Sequence, residues 1–181
     1  MSTLTYLTGD AVTLTPLSRD EWTDAMERWA NDGRATHFMV TGNRPTTRDD
    51  VARQYDALMA EGAVLFGIRD SNETLLGHVG LYGLNWVARH AELRILIGED
   101  VRGRGIGTEA TRMVVAYGFE RLNLNKVWLG VNADNIGGLR CYEKAGMTRE
   151  GVLRAEIWRN GRYYDAIRLS ILRDEWLAAH P

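Results

Sequence analysis

Three glycines fall within five positions of the stretch VRGRGIGTEA (101–110). This loop lies between a predicted strand that ends near Gly98 and a predicted helix that begins near Gly107. Backbone N–H groups in such a turn, together with the positive end of the helix, can hold phosphate oxygens, and glycine lets a ligand approach the backbone closely. A plain strand-to-helix turn has a similar composition. The stretch therefore predicts either a simple bend or a site for a phosphate-bearing ligand.

Two familiar phosphate loops do not fit this stretch. The nucleoside triphosphate loop ends in Gly-Lys-Ser/Thr, whereas here Gly105 is followed by Ile106 and Gly107. The dinucleotide fingerprint requires glycine or alanine at the position of Thr108. The loop therefore favours neither ATP nor NAD.

Composition limits the partners of the chain. A length of 181 residues with 45 % hydrophobic residues predicts one domain, residues 1–181. The net charge of -2 lacks the basic excess that drives nucleic-acid binding, and no apolar run is long enough to span a bilayer. With Cys141 as the single cysteine and no apolar stretch at the N-terminus, a cytoplasmic location is expected. The four histidines show no metal-ligand spacing, so no metal is predicted.

Hydrophobic periodicity predicts an α/β (α+β) arrangement with a mixed, mostly antiparallel twisted sheet and about four helices. Helices are expected after the caps Ser18 and Thr47, and a type I′ turn is expected at Asn160-Gly161. A strand, glycine loop, helix and strand in succession imply one parallel crossover. The predicted strands are 11–17, 63–70, 75–84, 90–98, 125–132 and the two arms of the final hairpin, and the later helices are 108–121 and a short one capped by Asp134 or Asn135.

Arg102, Gly105 and Gly107 fit the pattern Arg-x-x-Gly-x-Gly, and with it the sequence resembles the GNAT superfamily of acetyl-CoA-dependent N-acetyltransferases. AELRILIGEDVRGRGIGTEA resembles the fourth strand and pyrophosphate loop of that family, and VNADNIGGLRCYEKAGMTREG resembles its fifth strand, following helix and sixth strand. The final hairpin is similar to the branch that acetylates ribosomal-protein N-termini, polyamines and nucleotide-linked amino sugars. The resemblance implies a single GNAT-like domain with a parallel splay between the fourth and fifth strands.

The resemblance also implies where acetyl-CoA binds. The edge of the fourth strand is expected to pair with the pantetheine amides through Ile95, Leu96 and Ile97. Asn135 is expected to bind the pantetheine arm, to cap the following helix, or to do both. The side chains of Arg102 and Arg104 are available for phosphate oxygens. The backbone that holds the pyrophosphate is expected to be that of Arg102, Gly103, Arg104, Gly105, Ile106, Gly107 and Thr108.

Two residues are candidates for proton transfer. An alkylamine has a pKa of about 10 and must lose a proton before it attacks a thioester. By resemblance Glu92, ten positions before Arg102, is the base, directly or through water, unless it is only ion-paired with Arg94 or His90. Tyr142 matches the tyrosine that protonates the CoA thiolate, although a core tyrosine packed beside Leu139 is the alternative.

Acceptor choice in this family lies largely in the loop between the first two helices and in the last hairpin. That loop carries Arg34, Arg44 and Arg48 against the single acid Asp32, so polyamines rank below an anionic amine such as a nucleotide-linked amino sugar. A protein N-terminus is equally compatible. The predicted function is acetyl transfer by direct attack of a primary amine, the alternative is a non-catalytic acyl-CoA-binding module, and a homodimer stays open.

Overall fold

The computed structural model describes residues 5–39 and 43–180, which form one mixed sheet covered by helices. In the described part of the chain the strand order is β1-β2-β3-β4-β5-β6-β8-β7. The strands are β1 (Leu7–Thr8), β2 (Thr13–Pro16), β3 (Val64–Arg69), β4 (Leu75–Asn85), β5 (His90–Ile97), β6 (Lys126–Asn132), β7 (Thr148–Arg159) and β8 (Arg162–Leu172). The helices are α1 (Arg19–Asn31), α2 (Arg48–Ala60), α3 (Ile106–Glu120), α4 (Ile136–Lys144) and α5 (Arg173–Ala179), with a 3₁₀ turn at Glu99–Val101.

The pair β5 and β6 is parallel, while the other neighbouring strands run antiparallel. Its ladder begins at His90 and Lys126 and ends at Glu92 and Trp128, although both strands continue. The two strands therefore separate towards their carboxyl ends. This confirms the predicted fold class. The strands that the family pattern counts as fourth and fifth are β5 and β6 here, because the short strand β1 adds one to the numbering.

Local sequence signals account for most of the element boundaries. Capping boxes begin α1 at Ser18 and α2 at Thr47, where the side chains of Glu21 and Asp50 bond back to the cap. The expected type I′ turn is present, because Asn160 and Gly161 have φ values of 51° and 80°.

Three expectations about elements are corrected. The third helix begins at Ile106 rather than Thr108, because Gly105 in the left-handed conformation is its N-cap. The helix Arg173–Ala179 brings the number of helices among the described residues to five, where about four were expected, and the strand Leu7–Thr8 was not predicted. Both elements are too short to show a hydrophobic period.

Two apolar clusters occupy opposite faces of the sheet. Side chains of α3 such as Val114 and Phe119 pack with Leu93 of β5 on one face. On the other face, Trp22 of α1 and Val51 of α2 pack with Tyr82, Leu96 and their neighbours. Since successive residues of a strand point to opposite faces, β5 serves both clusters. Of the helices in the described ranges, none has the length and apolar character needed to cross a membrane.

His78 of β4 is 5 % exposed and lies against the rings of Trp22 and Trp29. Its two ring nitrogens have no hydrogen-bond partner among the described residues. Burial lowers the pKa of His78 from 6.5 to about 4, because the charged imidazolium would lose its hydration.

Because of His78, folding stability is expected to fall as the pH is lowered through the acid range. The unfolded chain takes up this proton near pH 6.5, whereas the folded chain resists it down to about pH 4. The free energy of unfolding should therefore fall by about 2 kcal/mol between pH 7 and pH 4.5 on account of this group. Urea unfolding of His78→Leu should lack that component, while the exposed control His180→Gln should keep it. An equal pH dependence in His78→Leu and the parent chain would contradict this origin.

Candidate active site

The separation of β5 and β6 opens a cavity of about 770 Å³. Beyond Glu92 the edge of β5 forms no ladder with β6, so the backbone of Ile95, Leu96 and Ile97 lies along the cavity with pairing capacity left. An extended ligand can bind such an edge as an added strand would. The remaining walls come from the loop before α3, from α4, from β7 and β8, and from the loop between α1 and α2.

The glycine loop forms one end of this cavity. Gly103 and Gly105 have φ values of 78° and 84°, which L side chains rarely adopt, and Gly105 caps α3 without any side-chain hydrogen bond. At Gly107 a Cβ atom would lie 3.2 Å from Sγ of Cys141, so glycine permits the close approach of α3 and α4. The first N–H groups of α3 thus begin at the cavity wall without a side-chain cap, which fits a phosphate-bearing ligand such as CoA.

The two arginine side chains of this loop are engaged elsewhere in the structure. Arg102 donates from Nε to the carbonyl oxygen of Ile97 (3.2 Å) and from Nη2 to that of Ala35 (2.9 Å). Arg104 donates from Nη2 to the carbonyl oxygen of Asp100 (3.1 Å). A guanidinium has five N–H donors, so this conformation leaves the backbone N–H groups of the loop and the remaining arginine donors for a pyrophosphate. Sequence reasoning missed Arg140 and Lys144, one turn of α4 apart, which also line the cavity.

Asn135 fulfils its predicted capping role. Its Oδ1 accepts a hydrogen bond of 2.9 Å from the N–H of Gly138 at the start of α4. The residue also lines the cavity, so a second role towards the pantetheine arm stays compatible with the geometry.

Tyr142 of α4 borders the same cavity. Its ring packs against the core cluster that includes Leu139, as predicted by the alternative in which it is a core tyrosine. Its hydroxyl, however, has no hydrogen-bond partner among the described residues. Burial raises the pKa of Tyr142 because the phenolate would lose hydration, so the hydroxyl keeps its proton at neutral pH. The side chain therefore combines a fixed ring with an uncommitted proton donor.

Glu92 lines the cavity and also forms an ion pair, as predicted by the alternative to its role as base. Its Oε2 accepts a hydrogen bond of 2.6 Å from Nη2 of Arg94, whose guanidinium lies over the Tyr82 ring. The carboxylate raises the pKa of Arg94, which stays protonated. A base at this position must therefore take its proton while in contact with a cation.

A second carboxylate, that of Glu156, lines the cavity and was missed by sequence reasoning. The β7–β8 register shifts between Leu153 and Ile157, which marks a bulge in β7. At its centre Ala155 has a φ of 53°, and its N–H donates to Oδ1 of Asp165 (2.8 Å). No described cation forms an ion pair with Glu156. The sequence gives no warning of the bulge, since Leu153, Ala155 and Ile157 alternate as in a regular strand.

The structure thus gathers the predicted site residues around one cavity. Glu92, Tyr142, Asn135, the β5 edge and most of the glycine loop all contribute to its wall. Arg104 is outside the cavity lining, as its bond to Asp100 reflects. Among residues 5–39 and 43–180, no group of three or more His, Cys, Asp or Glu side chains could hold a metal ion.

A parallel strand pair that opens beside a glycine-capped helix is the arrangement implied by the GNAT resemblance. Residues 11–148 match the family model described as the acetyltransferase (GNAT) domain, and the chain belongs to this family.

Named relatives agree with this assignment. Spermidine N(1)-acetyltransferase from Escherichia coli K12 is 39 % identical over 104 residues, which cover 58 % of this chain and 56 % of that protein. The matched part is thus little more than half of that relative. The putative ribosomal N-acetyltransferase YdaF of Bacillus subtilis is 33 % identical over 74 % of this chain and 70 % of its own length. A crystal structure of spermidine N-acetyltransferase from Vibrio cholerae, in complex with CoA and spermine, has a TM-score of 0.85 at 27 % identity and covers 93 % of this chain and 99 % of that chain.

Proposed function

We propose that this protein transfers the acetyl group of acetyl-CoA to a primary amine by direct attack. The observation that carries the proposal is the cavity itself, in which an unpaired strand edge, a glycine-capped helix start and the uncommitted Tyr142 hydroxyl meet. The CoA in the related Vibrio cholerae structure supports the same substrate for this chain.

The residues of this chain can serve both proton transfers of the reaction. Glu92, directly or through one water, accepts a proton from the ammonium group, and the free amine forms a bond to the thioester carbon. When the carbon–sulfur bond breaks, the Tyr142 hydroxyl donates its proton to the CoA thiolate. The nitrogen loses its second proton as the amide forms, and this proton restores the Tyr142 hydroxyl, directly or through water. Among the described residues that line the cavity, Glu156 is the other carboxylate, and it is the alternative proton acceptor.

The acceptor is proposed to be a small alkylamine or a protein N-terminus. Arg48, one of the three arginines that lowered the rank of polyamines, pairs with Asp24 (2.7 Å) and Glu27 (3.4 Å) of α1. Nε of Arg34 lies 3.7 Å from Oε2 of Glu99. The cationic excess of this region is thus partly neutralised, and with the named relatives this supports spermidine and spermine as acceptors beside nucleotide-linked amino sugars.

Continuous detection of free CoA thiol tests the proposal. The purified protein is given acetyl-CoA with spermidine, spermine, nucleotide-linked amino sugars or short peptides of varied N-termini. Amine-dependent thiol release, with a mass increase of one acetyl group on the amine, is expected. Acetyl-CoA binding without release for any acceptor would favour the non-catalytic acyl-CoA-binding module instead.

A further inference from the structure

The loop between α1 and α2 contributes one wall of the cavity, through residues 35–39, which we call the loop wall. Ala35, Phe38 and Met39 line the cavity, and Ala35 and Thr36 are 3 % and 1 % exposed. The loop wall has no regular strand or helix to hold it, so its position depends on contacts from other parts of the chain.

Two arginines from distant parts of the chain hold the loop wall. Arg102, after β5, donates from Nη2 to the carbonyl oxygen of Ala35 (2.9 Å). Arg159, the last residue of β7, donates from Nη1 to the carbonyl oxygen of Met39 (3.1 Å) and from Nη2 to Oγ1 of Thr36 (3.0 Å). Arg159 is only 6 % exposed, and its planar fork with several donors suits the satisfaction of two acceptors at once.

The sheet order shows where these two arginines lie relative to the opening between β5 and β6. In the order β5-β6-β8-β7, Arg102 follows a strand on one side of the β5–β6 opening and Arg159 ends a strand on the other side. A segment bonded to both arginines therefore crosses the opening. The two guanidinium groups fix both ends of the loop wall relative to the strands that form the cavity.

The loop wall lies on the side of the sheet from which the amine would enter. The start of α3, which suits a phosphate, belongs to the face packed by α3. Glu92 pairs across strands with Tyr82, which belongs to the opposite face covered by α1 and α2. The loop wall joins those two helices, so it shares a face with the candidate base rather than with the glycine loop.

We propose that Arg159 and Arg102 are positioning residues for the amine acceptor. By holding the loop wall across the opening, they fix Phe38 and Met39 at the distance from Glu92 that a bound amine must fit. This inference rests on the proposed acetyltransferase function and adds a role for two side chains that donate hydrogen bonds to the loop wall. Arg102 thereby serves the acceptor side through its side chain, while its backbone stays in the glycine loop.

The role of the hydrogen bond between Arg159 and Thr36 is tested with the variants Arg159→Lys, Arg159→Met and the near-isosteric Thr36→Val. Because small displacements of a positioned substrate have large kinetic costs, the KM for the amine should rise about tenfold in Arg159→Met while the KM for acetyl-CoA stays within about twofold. The Thr36→Val variant should show part of the same rise, and the double variant should be no worse than Arg159→Met. Arg53→Met, which removes an exposed ion pair with Asp50, is the matched control and should leave both KM values at parental levels.

Hydrogen–deuterium exchange supplies a readout that does not depend on turnover. The amides of Thr36 and Met39, bonded within the loop wall region, should exchange faster in Arg159→Met than in Arg53→Met. Folding of each variant is checked by its thermal unfolding and by acetyl-CoA binding. A folded Arg159→Met or Thr36→Val protein with parental amine KM would overturn this inference alone. A parent chain without amine-dependent turnover would overturn the proposed function and this inference with it.

Discussion

Replacing Tyr142 with phenylalanine is expected to reduce kcat about 100-fold, which is the lower range for loss of a general acid. The ring of Tyr142 packs in the core cluster, and its hydroxyl has no partner among the described residues. Phenylalanine therefore preserves the packing and removes only the proton donor. Because the pantetheine arm is expected to bind the β5 edge and the loop, the KM for acetyl-CoA should stay within about twofold of the parental value.

The measurement is steady-state kinetics of thiol release at saturating amine, with Tyr117→Phe as the matched control. Tyr117 lies on α3 beside Tyr6, outside the cavity lining, so its variant should keep the parental kcat. Since burial raises the pKa of Tyr142, the parent should not lose activity through this group as the pH rises to about 10. Retention of parental kcat in Tyr142→Phe would remove the hydroxyl from the mechanism.

Features that the sequence predicted well are encoded within a few neighbouring residues. Glycines at 103, 105 and 107 leave the backbone of a strand-to-helix loop free to adopt positive φ values, and two of them do so. The Asn-Gly turn and the capping boxes are local in the same sense. The parallel splay followed from the order of these elements together with the family resemblance.

Features that the sequence could not predict depend on residues that are far apart in the chain. The bond from Arg102 to Ala35 spans 67 positions, and the bond from Arg159 to Thr36 spans 123. A single sequence contains no periodic pattern that connects such residues. Sequence reasoning therefore named the Arg102 side chain as available for phosphate, but it did not predict that its guanidinium donates to the carbonyl oxygens of Ile97 and Ala35.

Replacing Glu92 with glutamine is expected to lower kcat/KM for the amine about 100-fold near neutral pH. Glutamine keeps the shape of the side chain and can still face Arg94, but it cannot accept the ammonium proton. In the parent, kcat/KM should rise with pH as the essential base loses its proton. That rising limb should be suppressed in Glu92→Gln, and the pH profile of kcat/KM between pH 5 and pH 9 is the measurement.

Glu156→Gln is the matched control, because it removes one carboxylate from the same cavity by the same chemical change. The two positions differ in partner: Glu92 contacts Arg94, whereas no described cation pairs with Glu156. If Glu92 is the base, Glu156→Gln should retain the rising limb and alter mainly the KM for a cationic acceptor. A retained limb in Glu92→Gln together with its loss in Glu156→Gln would transfer the role to Glu156. The ion pair with Arg94 would then hold β5 beside Tyr82 rather than take part in proton transfer.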